Sequence, residues 1–143
     1  MTAVTIRGLD HLVLRVADLQ RSLAFYCGVL GCREERRLPE FGLVQLRAGN
    51  SLIDLVPVES VLGKPLGAGP GASGRNLDHF ALQIAPFDAA AIRTHLERNG
   101  IEVGDVNQRY GAEGTGPSIY IKDPDGNTVE LKGPAIPGTR LSS

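Results

Sequence analysis

The chain has 143 residues, of which 42% are hydrophobic and 22% charged, with a net charge of -1. That composition suits one globular domain with a real core and excludes a nucleic-acid binder, which needs many phosphate-neutralising cations. No apolar run nears the roughly 20 residues of a membrane span, MTAVTIRGLDH lacks the apolar stretch of a signal peptide, and Cys27 and Cys32 are too close to frame a disulfide scaffold, so reduced thiols in a cytoplasm are expected.

In chain order, LDHLVLRV (9–16) predicts a strand. Asp18 then caps a helix over LQRSLAFYCGVLG (19–31), with Leu19, Leu23, Tyr26 and Leu30 at helical spacing. It stops at Gly31, since glycine adopts the left-handed terminal conformation most cheaply. Strands follow at 33–38, 42–47 and 51–56, with AGN (48–50) as a turn. Residues 57–76 are rich in Gly and Pro, a linker or a mobile lid.

The opening phrase then returns. LDHFALQI (77–84) repeats Leu9, Asp10 and His11 at a shift of 68 residues. Asp88 caps a helix over AAAIRTHLERNG at a shift of 70, and Gly100 ends it at a shift of 69. Phe87 and Ile92 bracket that cap as a hydrophobic staple. Strands are expected at 102–108, 118–122 and 128–132, with DPDGN (123–127) as a turn. The tail, 134–143, reads as frayed or loosely docked. The pattern is a duplication of the α+β class. Two tandem βαβββ modules (about 7–58 and 75–133) form a single domain over 1–143, a curved, partly open β-barrel with a metal site on its concave face.

Strand alternation picks out the site. His11, Val13 and Arg15 share one face of the first strand, and His79, Ala81 and Gln83 share the matching face of its repeat. The opposite faces are wholly apolar and belong under the helices. On the last strand of each half, Asp54 stands between Ile53 and Leu55, and Glu130 between Val129 and Leu131, so both acids turn away from the helices. A pseudo-twofold relation between the halves would bring two imidazoles and two carboxylates together. That donor set suits a divalent transition ion such as Zn, Mn, Fe, Co or Ni. A lone strand His is ordinarily a packed residue; the duplication is what favours the metal. Asp10 and Asp78 read as strand-start or turn residues, and His95 as a surface residue.

DHLVLRVADLQRSLAFYCGVLG and SIYIKDPDGNTVEL, within an otherwise matching span of about 7–133, resemble the vicinal oxygen chelate superfamily, the glyoxalase, bleomycin-resistance and extradiol-dioxygenase group. The resemblance implies that His11, His79 and Glu130 occupy the three commonest ligand positions. It places Asp54 where glyoxalase I enzymes carry a fourth ligand, usually Glu. It also implies a homodimer with shared sites. The opening LRVADLQRS is closest to glyoxalase I, in which Arg15 would meet a substrate carboxylate. YIKDPDGNTVE fits the tail of the extradiol-dioxygenase pattern, but GAEGTGPS (111–118) has no His for oxygen chemistry.

The expected activity is therefore a metal-dependent lyase or isomerase of the lactoylglutathione-lyase kind, acting on a small oxygen-bearing substrate, a glutathione adduct among the candidates. Glu130 or Asp54 would carry the proton, and Tyr120 would hydrogen-bond the substrate. Arg15, Gln45, Arg47 and Lys122 would line the pocket, and 57–76 and 109–117 would be its lids. An extradiol-type dioxygenase, a fosfomycin-type thiol transferase and a metal-free binding protein are the alternatives.

Overall fold

The computed structural model describes residues 3–142. The outer ends of the expected 1–143 domain, residues 1, 2 and 143, lie outside the described residues. The chain forms two compact units that meet in sequence at Pro70 and Gly71.

In the first unit the order is β1 (His11–Val16), α1 (Leu19–Leu23), a π-helical stretch (Ala24–Val29), β2 (Arg33–Leu38), β3 (Leu43–Ala48), β4 (Ser51–Pro57) and a 3₁₀ turn (Lys64–Leu66). The second unit repeats the plan with β5 (His79–Gln83), α2 (Ala89–Arg98), β6 (Asn107–Gly111), β7 (Gly114–Lys122) and β8 (Thr128–Lys132). The sheets have matching strand orders, β1-β4-β3-β2 and β5-β8-β7-β6. In each, the first strand runs parallel to the last and the remaining pairs are antiparallel. Each sheet is open, with its first and second strands at the edges.

Both helix starts follow the expected caps: the Asp18 and Asp88 side chains accept from the Arg21 and Ala91 amides, each at 3.1 Å. Both ends turn at a left-handed glycine, Gly31 (φ 81°) and Gly100 (φ 74°). The first helix departs from expectation in its second half, where the Leu30 amide reaches back five residues to the Phe25 carbonyl at 3.0 Å. A 3.6-residue helix turns neighbours about 100° apart. The wider winding leaves adjacent Phe25 and Tyr26 both buried, their rings edge to face at 4.9 Å.

Two boundaries are corrected. The strand expected at 102–108 lies at Asn107–Gly111, and β7 starts at Gly114. Residues 109–117, expected as a lid, are therefore a β-hairpin pairing Arg109 with Gly116 and Tyr110 with Thr115. Three glycines and Pro117 hide these strands from a propensity reading. Close packing is why small residues stand there: a Cβ on Gly116 would lie 2.5 Å from the Pro134 carbonyl oxygen. The tail is docked on the same hairpin. The Ile136 amide donates to Thr115 at 2.7 Å, and the Leu141 amide to the Tyr110 hydroxyl at 2.8 Å.

The core follows the alternation. Leu14, Val16, Leu46, Ile53 and Leu55 are buried in the first unit, and Ile119, Ile121, Val129 and Leu131 in the second, with Leu96 from α2. Burying each such side chain contributes about 1.5–3 kcal/mol. Among the described residues, no helix is long and apolar enough to cross a membrane.

Candidate functional site

The first unit carries an imidazole and a carboxylate on one sheet face. In the β1–β4 ladder His11 pairs with Leu52 and Val13 with Asp54, so His11 and Asp54 stand one diagonal apart. The His11 Nδ1 donates to Asp10 Oδ1 at 2.7 Å. A carboxylate only accepts, so in the neutral imidazole the proton sits on Nδ1 and Nε2 presents its lone pair. That hydrogen bond, opposed by desolvation and helped by the charges of Asp54 and Asp10, raises the His11 pKa above its usual value.

Asp54 is 3% exposed. Its Oδ2 accepts from Gln45 Nε2 at 2.9 Å, while its buried Oδ1 has no hydrogen-bond partner. Gln45 is oriented in turn by Arg36, whose Nε donates to Gln45 Oε1. A bulge makes this possible. The β2–β3 register shifts between Glu34 and Arg36, which puts Arg36 rather than Glu35 opposite Gln45. With Oε1 held by the arginine, the Gln45 amide nitrogen must face Asp54.

The second unit repeats the register. His79 pairs with Thr128 and Ala81 with Glu130, the same diagonal. His79 Nδ1 donates to Asp78 Oδ1 at 2.6 Å, and His79 Nε2 stands 3.4 Å from Glu130 Oε1. Glu130 is 6% exposed. The position opposite the acid, filled by Gln45 in the first unit, is filled here by Tyr120. Tyr120 meets the His79 ring at 5.3 Å between centroids, and the Arg109 guanidinium lies 4.0 Å over the tyrosine ring. Arg109 is fixed by Ser118, through Oγ at 2.6 Å and the carbonyl at 3.1 Å.

The other expected pocket residues have definite partners. Arg15 donates to the carbonyls of Gly63, Gly67 and Ala68 at 2.6–3.0 Å, so it ties the 63–68 loop to β1. Arg47 pairs with Glu35. Lys122 donates to Thr128 Oγ1 and lines a cavity of about 430 Å³ with His79, Tyr120 and Arg75. Sequence reasoning missed three contributors. Asp10 and Asp78, read as turn residues, are the hydrogen-bond partners of the histidines, and their duplication beside His was the available signal. Arg75 lay in a stretch read only as linker. Both cysteines are free. Burial raises the Cys27 thiol, and burial with the neighbouring Cys27 pushes Cys32 up to about 11, so neither is a ready thiolate.

Among the described residues, no three His, Cys, Asp or Glu side chains stand together so as to hold a metal ion; each sheet face described above offers one imidazole and one acid. Those pairs fit a divalent cation in two respects. The orphaned Asp54 Oδ1 is a buried acceptor without a donor. The 3.4 Å between His79 Nε2 and Glu130 Oε1 is long for a hydrogen bond.

Residues 8–131 match the family model described as the Glyoxalase/Bleomycin resistance protein/Dioxygenase superfamily. The chain belongs to this superfamily. Within it, the chain is 32% identical over 131 residues to a lactoylglutathione lyase of Salmonella typhimurium, covering 85% of this chain and 88% of that one. It is 30% identical over 126 residues to the glutathione transferase FosA of Serratia marcescens, covering 88% and 80%. The crystal structure of a Salmonella typhimurium virulence protein superposes with a TM-score of 0.71 at 28% identity, covering 93% and 100%. Superfamily membership accounts for the duplicated βαβββ plan, while relatives with such different names leave the reaction open.

Proposed function

We propose that this superfamily member is a divalent-metal-dependent enzyme of the lactoylglutathione-lyase kind. His11 and Asp54 from the first unit, with His79 and Glu130 from the second, make up the metal set. The observation that carries this reading is the repeated Asp–His pair. Asp10 and Asp78 each hold Nδ1 of the neighbouring histidine and leave Nε2 toward the face that carries the acid. Such a carboxylate behind a ligating histidine fixes its tautomer and raises its basicity. Two separate copies of a three-part arrangement are hard to explain as packing, since His11 is exposed and the packed core lies on the opposite face.

A divalent ion in that set would polarise substrate oxygens and stabilise negative charge developing beside them. The chain's own groups do the rest. Glu130, buried beside His79, accepts the substrate proton on a carboxylate oxygen and returns it one carbon along. Asp54 serves the same end where Glu130 remains a ligand. Tyr120 orients the substrate from the cavity wall, and Lys122 supplies positive charge. The substrate is a small molecule, a glutathione adduct in the first instance, and the working form is a homodimer with shared sites.

The test is a titration of chelator-treated protein with Zn, Ni, Co and Mn, followed by turnover of methylglyoxal with glutathione. Tight binding of one ion per four-residue set, lost in both His11→Ala and His79→Ala, is the expected result. Absence of binding by every ion would leave the metal-free binding reading. Binding without methylglyoxal turnover would move the search to catechols and fosfomycin.

A further inference from the structure

We propose that Arg36 is a positioning residue for the acid of the first unit: acting through Gln45, it turns Asp54 so that Oδ1 alone is left for a cation. Residue order puts Gln45 in the pocket lining; the geometry gives its amide to the acid instead. This deepens the metal reading above, on which it rests, by naming what decides which oxygen an ion would meet.

The relay runs in only one direction. A guanidinium only donates and a carboxylate only accepts, while a glutamine side chain does both. Arg36 Nε donates to Gln45 Oε1, and Gln45 Nε2 donates to Asp54 Oδ2 at 2.9 Å. Flipping the amide would set N–H against N–H at one end and oxygen against carboxylate at the other, so both bonds would be lost together. The three residues step from exposed Arg36 through half-buried Gln45 to buried Asp54. The inner bond, in the lower dielectric, is therefore the costlier one to leave unmade. Asp54 Oδ1, buried and without a donor, is the oxygen this arrangement leaves over.

The strand register supplies the donor. Glu34 stands opposite Leu46, and an unbroken ladder would next set Glu35 opposite Gln45. A glutamate there could only accept, so it would draw Nε2 away and turn Oε1 toward Asp54. The bulge sets Arg36 opposite Gln45 instead, while Glu35 pairs with Arg47. One extra residue in β2 thus exchanges an acceptor for a donor. Opposite Glu130 in the second unit stands Tyr120, which has no amide to orient.

The test starts with the full chain, stripped of metal by chelator and labelled with nitrogen-15, and follows the side-chain amide protons of Gln45, assigned by their loss in Gln45→Met. Arg36→Met keeps the stem and removes the donors. It should draw the two Gln45 protons together, toward the shifts of a solvent-exposed glutamine, with backbone amides away from 34–37, 44–46 and 53–55 staying in place. Arg36→Lys, whose ammonium still reaches Oε1, should restore them. Zinc affinity, read by competition with a chromophoric chelator, should fall about 10–100-fold in Gln45→Met and about tenfold in Arg36→Met, and return in Arg36→Lys. A Gln45 signal that ignores Arg36→Met, a loss that Arg36→Lys leaves in place, or zinc affinity unaltered in both methionine variants would overturn the proposal. The two readings fail separately. Wild-type protein that binds no zinc, with a Gln45 signal that still answers to Arg36, removes the proposed function and keeps the relay; zinc binding with a Gln45 signal indifferent to Arg36 removes only the relay.

Discussion

The two units have the same strand order, the same helix caps, the same Asp–His pair and an acid at the same register position, yet differ beside that acid. In the first, the residue opposite the acid is Gln45, fixed by Arg36, and Asp54 keeps one buried oxygen without a donor. In the second it is Tyr120, covered by Arg109, and Glu130 reaches His79. Both units thus place an arginine over the residue that faces the acid, one through a hydrogen bond and the other through a cation–π contact. The second lines a cavity of about 430 Å³ with His79, Tyr120 and Lys122. On the proposed function the shared parts would hold the metal, and the divergent parts would meet the substrate. The first unit orients a carboxylate with a polar amide; the second presents an aromatic wall and cations.

The largest expected effect tests that asymmetry. Glu130→Gln should cost about 10²–10⁴ in turnover, the usual contribution of a positioned proton carrier, with metal still bound. Asp54→Asn should cost much less turnover. Equal losses would make the two acids interchangeable and end the distinction between the units. Next come the shared parts. Asp10→Asn and Asp78→Asn should each weaken metal affinity by about 10–100-fold, measured by competition with a chromophoric chelator. A loss at only one of them would break the symmetry of the half-sites.

Asp54→Asn should also stabilise the metal-free protein by about 1–2 kcal/mol in urea unfolding, because it removes a buried charge whose second oxygen lacks a donor. Destabilisation instead would mean that the carboxylate is satisfied without a cation. The smallest effect belongs to the helix caps. Asp18→Ala and Asp88→Ala should each cost about 1 kcal/mol, since each carboxylate accepts a single amide bond of the same length.

Much of this was legible from residue order. The LDH phrase returned at a constant shift, and strand alternation put His11 with Asp54 and His79 with Glu130, as the ladders have them. The caps and the last strand of each half were equally plain. The two βαβββ modules of the α+β class are seen as expected. The strand at 118–122 was legible, but the hairpin's tip at 109–117 was not, because its glycines and proline carry a turn signature. Their reason is the packing of Lys132 and Pro134 against them. The π-helical winding was hidden too, since Leu19, Leu23, Tyr26 and Leu30 fit an ordinary helix.

The residue order by itself determined the duplication, most of the elements and the face of each sheet that bears imidazole and acid. These depend on local periodicity, which two-residue alternation and capping side chains write directly into the chain. Tertiary structure decided what the long side chains do. Arg15 reaches carbonyls some fifty positions away and Arg75 a turn as distant, while a single bulge turns Arg36 toward Gln45. An arginine's partner is set by which loops the fold brings within reach of its flexible stem, and no local pattern encodes that.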